Sequence, residues 1–180
     1  MRVVGITGRA GAGKDVVANW LVDNRGFTKI ALADPMKEFC QKMFGWSRTQ
    51  LWGSSELRNQ PDPRWRGLTP RRALQQLGTE WGRAMHEDVW IRYALDRCYA
   101  LNCQVVISDV RFQNETALIQ QAGGVVIEVR RPTANRGEAF RFHVSEAGVS
   151  GADHVIDNDG TLLDLKKKLC LLFPVSEGTS

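Results

Sequence analysis

The chain has 180 residues, a formal net charge of +4, 43% hydrophobic and 24% charged residues, the proportions of a globular domain with room for a real core. No apolar run reaches the roughly 20 residues that a membrane-spanning helix needs. That excludes a helical membrane bundle, and Cys40, Cys98, Cys103 and Cys170, which lack C-x-x-C spacing and sit within apolar or helical stretches, are expected as free thiols in a reducing cytoplasm.

Met1-Arg2-Val3 opens a strand and not a signal peptide, which places the protein in the cytoplasm as an expectation. The strand over 2–7 runs into Gly8-Arg9-Ala10-Gly11-Ala12-Gly13-Lys14, which has G-x-x-x-x-G-K spacing, and then into an apolar helix over 14–24. This is the arrangement of a phosphate-binding loop. Glycines let backbone N–H groups curl round an anion, and Lys14 reaches the outer phosphates from a helix start whose dipole favours negative charge. The competing reading is a Gly-rich strand–helix turn with a solvated lysine. The position after the lysine, where Ser or Thr commonly binds magnesium, is Asp15, followed by Val16. Asp15 therefore either faces the metal, directly or through water, or supports the site from behind.

Further strands are expected over 27–32, 104–108, 124–130 and 153–157, and helices over about 35–44, 70–85, 87–101, 112–122 and 161–173. Their alternation predicts an α/β fold with a parallel sheet. Residues 45–68, with their Gly, Pro and Trp, read as an irregular insertion, residues 131–142 as a basic connection, and Ser176–Ser180 as a frayed end. Both insertions suit movable parts that exclude water during phosphoryl transfer, or are plain surface loops.

Thr69-Pro70 opens the 70–85 helix well, Thr as cap and Pro in the first turn. Leu74, Leu77, Trp81 and Ala84 form its expected core stripe, and Arg71, Gln75, Gly78 and Gly82 line a neighbouring face. That face admits a planar or phosphorylated ligand, or makes a close helix crossing through its glycines. The next helix buries Ile91, Ala94, Leu95, Cys98 and Leu101, with Trp90 at the stripe edge, either stacking on a base or half-buried as packing.

Val105-Val106-Ile107-Ser108-Asp109-Val110-Arg111 reads as a buried strand ending in an acid, and ligands of open α/β sheets collect at such ends. Asp109 can organise magnesium-bound water or accept hydrogen bonds from a substrate sugar or base. Glu115 lies four residues past Arg111, facing the same cleft or forming a helical ion pair. His143, Ser145 and Glu146 suit a lid hinge or a helix cap better than hydrolysis, since no G-x-S-x-G elbow accompanies them. His86 and His154 have no metal-ligand spacing. Arginine clusters at Arg64/Arg66, Arg71/Arg72, Arg130/Arg131, Arg136 and Arg141 suit an anionic small substrate as well as a polynucleotide.

Together these segments resemble the bacteriophage-type deoxynucleoside monophosphate kinases, a branch of the P-loop kinases. The carriers are Gly8 to Asp15, Arg71 to Thr79, the helix around Trp90, Ser108 to Glu115, Arg130-Arg131-Pro132, His143 to Gly148 and Asp157 to Thr161. The resemblance implies one P-loop kinase domain over 1–180, a three-layer α/β fold with a monophosphate-binding helical insert over about 34–101 and a lid over about 131–145. It implies phosphorylation of deoxynucleoside 5′-monophosphates by ATP and Mg2+, with a possible viral origin. ATP would be held by Gly8, Gly11, Ala12, Gly13, Lys14, Asp15, Val16, Arg136, Asn158 and Gly160. The deoxynucleotide would be held by Arg71, Arg72, Gln75, Gly78, Thr79, Trp90, Asp109, Arg111 and Glu115. Lys14, Arg111, Arg130 and Arg131 would be catalytic, with Asp15 and Asp109 (through water) on the magnesium side. Many relatives have Thr where Val16 stands. The resemblance also allows a homodimer, although no apolar face of the sequence can be assigned to it.

Two other readings compete. One is another small-molecule P-loop kinase, of the dephospho-coenzyme A kinase type. The other is a nucleotide-dependent DNA-binding module, disfavoured because there is no basic tail or aromatic-interleaved stripe. Neither a membrane nor a nucleic acid is an expected partner.

Overall fold

The computed structural model describes residues 3–132 and 149–174. The lid residues from 133 to 145, with Arg136, Arg141, His143 and Ser145, lie outside them, as do Glu146 and the C-terminal residues from 176 to 180. The chain divides into two compact units, one of residues 1–31 with 93–180 and one of Leu32–Arg92. The helical insert expected over about 34–101 thus compares with a second unit that ends earlier.

In the first unit β1 (Val3–Thr7), β2 (Thr28–Ile30), β3 (Val105–Ile107), β4 (Val125–Arg130) and β5 (His154–Asp157) form a sheet of order β2-β3-β1-β4-β5. Every described pairing is parallel, so all five carboxyl ends lie on one edge of the sheet. Strands β1 and β3 are buried along their whole length, which is why they read as unbroken apolar runs instead of alternating ones. Side chains alternate between the faces. Val4, Ile6, Val106, Ile127, Val129 and Ile156 pack in one cluster with Val17, Ala18 and Leu21 of α1 (Lys14–Arg25) and Leu165 and Leu169 of α9 (Leu162–Leu172). Gly5 faces the other way. A Cβ there would lie 2.8 Å from Ile119 of α8 (Gln113–Gln121). The three layers expected from the sequence are therefore present in this unit, and each fully buried aliphatic side chain contributes about 1.5–3 kcal/mol.

Local chemistry sets the helix ends. Gly26 ends α1 in a left-handed conformation. A reciprocal cap between Thr161 and Asp164 starts α9. Helix α7 (Val89–Leu101) buries Ile91, Ala94, Leu95 and Cys98, but Leu101 is exposed. The helix closes there, and Asn102 takes a left-handed φ of 47°, so the stripe loses its last member.

The second unit contains α2 (Asp34–Phe44), α3 (Arg48–Trp52), α4 (Ser55–Asn59), a 3-10 turn at Pro63–Trp65, α5 (Pro70–Gln75), a π-helical stretch at Gln76–Gly82 and α6 (Arg83–Met85). The irregular insertion expected over 45–68 is corrected. It holds two helices of five residues each, started by side-chain caps from Ser47 and Ser54. The core is small: Cys40, Trp46, Leu51 and Ala73, with Phe44, Trp52, Leu68, Leu74 and Leu77 against it. Asp62 braces it, accepting from Trp46 Nε1 at 2.7 Å and from the Arg64 guanidinium at 2.7 Å.

The expected stripe along 70–85 is also corrected. Trp81 is 56% exposed and Ala84 is exposed, while Gly82 is buried. A π turn closes i→i+5 and so takes up about one more residue than an α turn. The faces rotate after Gln76, and the stripe that holds for Leu74 and Leu77 does not continue.

Candidate active site

The loop between β1 and α1 is built by conformations that side chains resist. Gly8, Gly11 and Gly13 have φ of 137°, 79° and 103°. A Cβ on Gly8 would lie 2.3 Å from the Val129 carbonyl oxygen, and one on Gly13 would lie 2.5 Å from Asn158 Nδ2. The Ala12 N–H donates to the Arg9 carbonyl at 3.1 Å, tightening the turn. No side chain caps α1 at Gly13, so the dipole end of a twelve-residue helix opens on the loop. The Lys14 ammonium donates to the carbonyls of Gly8 at 2.7 Å and Arg9 at 3.0 Å, and so arches over the loop from within.

Asp15 accepts a 2.7 Å ion pair from Lys29 of β2, which also donates to Asn19 at 3.2 Å. Of the two sequence readings of Asp15, this contact fits the supporting one. Val16 is 42% exposed and brings no oxygen to the helix start.

The ends of β3, β4 and β5 flank the loop that follows β1. Beyond β3, Asp109 is half-buried and Arg111 exposed, next to β1 in the sheet. Glu115, 3% exposed, accepts from the backbone N–H groups of Arg111 at 2.7 Å and Phe112 at 3.0 Å. Its carboxylate therefore locks the start of α8 and the backbone that carries Arg111. At the end of β4, Arg130 pairs with Glu128 at 2.7 Å, which holds its guanidinium above the usual arginine range, and Arg131 is exposed. Beyond β5, Asn158 is 7% exposed. Its N–H donates to the Arg130 carbonyl at 2.7 Å and its Nδ2 to the Ala12 carbonyl at 2.8 Å. It staples the phosphate loop to the last strand, a role that spacing did not reveal. At Gly160 a Cβ would lie 2.8 Å from the Asp164 carboxylate that caps α9. Lys29 and this second task of Asn158 went unread in the sequence, because each partner is separated from it by a whole helix or more.

In the helical unit, Arg71 Nη2 donates to Ser55 Oγ, Arg72 is exposed, and Gln75 and Thr79 are half-buried. The glycine face is filled from within. Met36 Sδ would lie 3.1 Å from a Cβ on Gly78, and Trp90 Cζ2 would lie 2.3 Å from one on Gly82. Trp90 Nε1 donates to the Gly78 carbonyl at 2.8 Å, so this indole is anchored at one edge. The helix-crossing reading of the two glycines describes these contacts.

For magnesium the oxygen donors are few. Among the described residues no group of three or more His, Cys, Asp or Glu is placed to hold a metal. Mg2+ is commonly bound through one or two carboxylates plus phosphate oxygens, and Asp109 beside the loop fits that donor set, whereas Asp15 is engaged by Lys29. The thiols take no part: burial pushes Cys40 and Cys98 up to about 11, and Cys40, Cys98, Cys103 and Cys170 are all free.

A glycine loop at the carboxyl end of the central β1, lysine at its helix start and an acid on the adjacent strand define a P-loop nucleotide-binding protein. The family model for deoxynucleotide monophosphate kinase matches residues 59–169. A candidate deoxynucleotide monophosphate kinase of Acanthamoeba polyphaga mimivirus is 33% identical over 177 residues, 90% of this chain and 91% of that protein. The chain belongs to the deoxynucleotide monophosphate kinase family and is a kinase. Among solved structures, a candidate kinase of Chloroflexus aurantiacus J-10-fl is 13% identical at a TM-score of 0.49, covering 95% of this chain and 93% of that one. Shikimate kinase of Aquifex aeolicus VF5 is 15% identical at 0.48, covering 96% and 95%. No helix among the described residues is long and apolar enough to cross a membrane.

Proposed function

We propose that this kinase transfers the terminal phosphoryl group of ATP directly to the 5′-phosphate of a deoxynucleoside monophosphate. The observation that carries the reading is the loop itself: Lys14 arched over left-handed glycines at the end of β1, with Asp109 at the end of the neighbouring strand, in a chain of this family. On binding, Lys14 exchanges two carbonyl partners for β- and γ-phosphate oxygens, and the loop amides and the α1 dipole cradle the anion. Asp109 would hold Mg2+ through water, and the ion would supply neutralisation of phosphate charge.

Arg111, Arg130 and Arg131 stabilise charge on the transferring group. Arg71, Arg72, Gln75, Gly78, Thr79 and Trp90 bind the acceptor with Asp109, and Glu115 fixes the backbone of Arg111. Arg136 belongs to the ATP side in this reading, as do Asn158 through the loop and Gly160. The acceptor phosphate loses its second proton at a pKa of about 6, so it is a nucleophile near neutral pH without a strong general base. Catalysis then consists of positioning and charge stabilisation, with no covalent enzyme intermediate.

The test is ADP release with ATP and Mg2+ against a panel of dNMPs, NMPs and dephospho-coenzyme A. Acceptor-dependent ADP confined to dNMPs is the expected result. Turnover with dephospho-coenzyme A alone would replace this reading with a kinase of that type. Salt-sensitive DNA affinity without acceptor-dependent ADP would replace it with a nucleotide-dependent binding module.

A further inference from the structure

We propose that Lys29 is a positioning residue of the ATP site that acts through Asp15; this rests on the ATP reading above. Its ammonium offsets the carboxylate beside the phosphate loop, and that position then tolerates a bound polyphosphate. Lys29 belongs to no motif of the sequence, and both residues lie outside the stretch matched by the family model, 59–169.

Asp15 is the second residue of α1 and the acid of its first turn. The helix dipole favours a carboxylate there, but phosphate would use the same positive end, and like charges repel. The Asp15 side chain is 80% exposed, so its charge is open to an anion that enters the loop. Ser or Thr, which commonly follows the lysine, raises no such conflict because a hydroxyl is neutral. A carboxylate at this position therefore opposes a polyphosphate unless a cation is fixed beside it.

Lys29 is that cation. Its Nζ donates to Asp15 Oδ1 at 2.7 Å and to Asn19 Oδ1 at 3.2 Å. Asp15 and Asn19 are four residues apart on α1 and so are neighbours on one helical face. The ammonium is thus held at two points. Its backbone is fixed as well: Lys29 lies in the middle of β2, in register with Val106 of β3. Its side chain is 31% exposed, the more enclosed of the pair. An ion pair with one partner this exposed contributes little to folding. Its effect falls instead on the charge that a ligand meets at the start of α1.

Calorimetric titrations with ATP and ADP, with and without Mg2+, are the test. They compare the full chain with Lys29→Met, Lys29→Gln, Lys29→Arg, Asp15→Asn and the double variant of Lys29→Met with Asp15→Asn. Lys29→Met and Lys29→Gln are expected to weaken ATP by about two- to five-fold at low ionic strength, the scale of one exposed charge at a helix end. The loss should be smaller for ADP and should fade as salt rises from about 20 mM to about 500 mM. Lys29→Arg should keep most of the affinity. Asp15→Asn should remove the effect of Lys29→Met, which a merely structural lysine would not allow. Should Lys29→Met fail to fold, Lys29→Gln and Lys29→Arg, which keep a polar head, give the same comparison. Wild-type ATP affinity in folded Lys29→Met and Lys29→Gln, or an equal loss with and without Asp15→Asn, overturns this inference alone. So does loss of the Mg2+-dependent part of ATP affinity in Asp15→Asn, which would put Asp15 on the metal side. A wild-type chain that binds no ATP overturns the proposed function and this inference with it.

Discussion

Lys14 donates to carbonyls of the loop that it guards and is not a member of the apolar core beneath it. Lys14→Ala should therefore lower turnover by about two to three orders of magnitude, as loss of a preorganised charge donor does, while the thermal melt stays near wild type. Near-native kcat in that variant would show that the loop does not serve the chemistry. Asp62 behaves differently. The Arg64 guanidinium, and then the Trp46 indole N–H, hold its carboxyl down to about 2. A depressed carboxyl pKa adds stability that is fully present above the unfolded value near 4 and is lost as pH falls through about 2. An acid titration of tryptophan fluorescence should show a transition in that window, and Asp62→Asn should remove its pH dependence. A transition that persists unchanged in Asp62→Asn would assign it to other carboxylates. At this scale the sequence revealed the residues whose spacing is itself the signal, Gly8 to Lys14. It did not reveal Lys29 as the partner of Asp15 or Asn158 as the staple on Ala12, because those contacts depend on strand order.

The elements follow the same division. Strands β1 and β3 appeared as apolar runs because both faces of the sheet are covered there, and the long helices appeared through their periodicity. Helices α3 and α4 did not, since five residues are too few for a period and only their caps, Ser47 and Ser54, signal them. The π stretch at Gln76–Gly82 was missed for another reason. Its extra residue breaks the rule by which the stripe was extended to Trp81 and Ala84. Gly82 tests this packing. Ala is a better helix former by about 1 kcal/mol, but its Cβ would lie 2.3 Å from Trp90 Cζ2. Moving that ring puts the Trp90–Gly78 hydrogen bond at risk, and overpacking typically costs about 1–3 kcal/mol. Gly82→Ala should therefore lower the melting temperature and change Trp90 emission. A raised melting temperature would mean that the ring yields freely and that propensity wins.

At the scale of the molecule, the order β2-β3-β1-β4-β5 turns separate sequence motifs into neighbours. The phosphate loop, Asp109, Arg130 and Asn158 are far apart in the chain. All follow parallel strands, so all emerge at one edge of the sheet. The alternation of strands and helices made the parallel sheet legible, but the order of its strands, and hence the company Lys14 keeps, came only with the fold. The central claim is that this arrangement moves a phosphoryl group from ATP to a deoxynucleoside monophosphate. The most direct test incubates the full chain with ATP, Mg2+ and one dNMP at a time and quantifies products by 31P NMR. Equimolar ADP and deoxynucleoside diphosphate, both formed about two to three orders of magnitude more slowly with Lys14→Ala, is the predicted result. ADP with inorganic phosphate and no deoxynucleoside diphosphate, from folded protein across all four dNMPs, would contradict it.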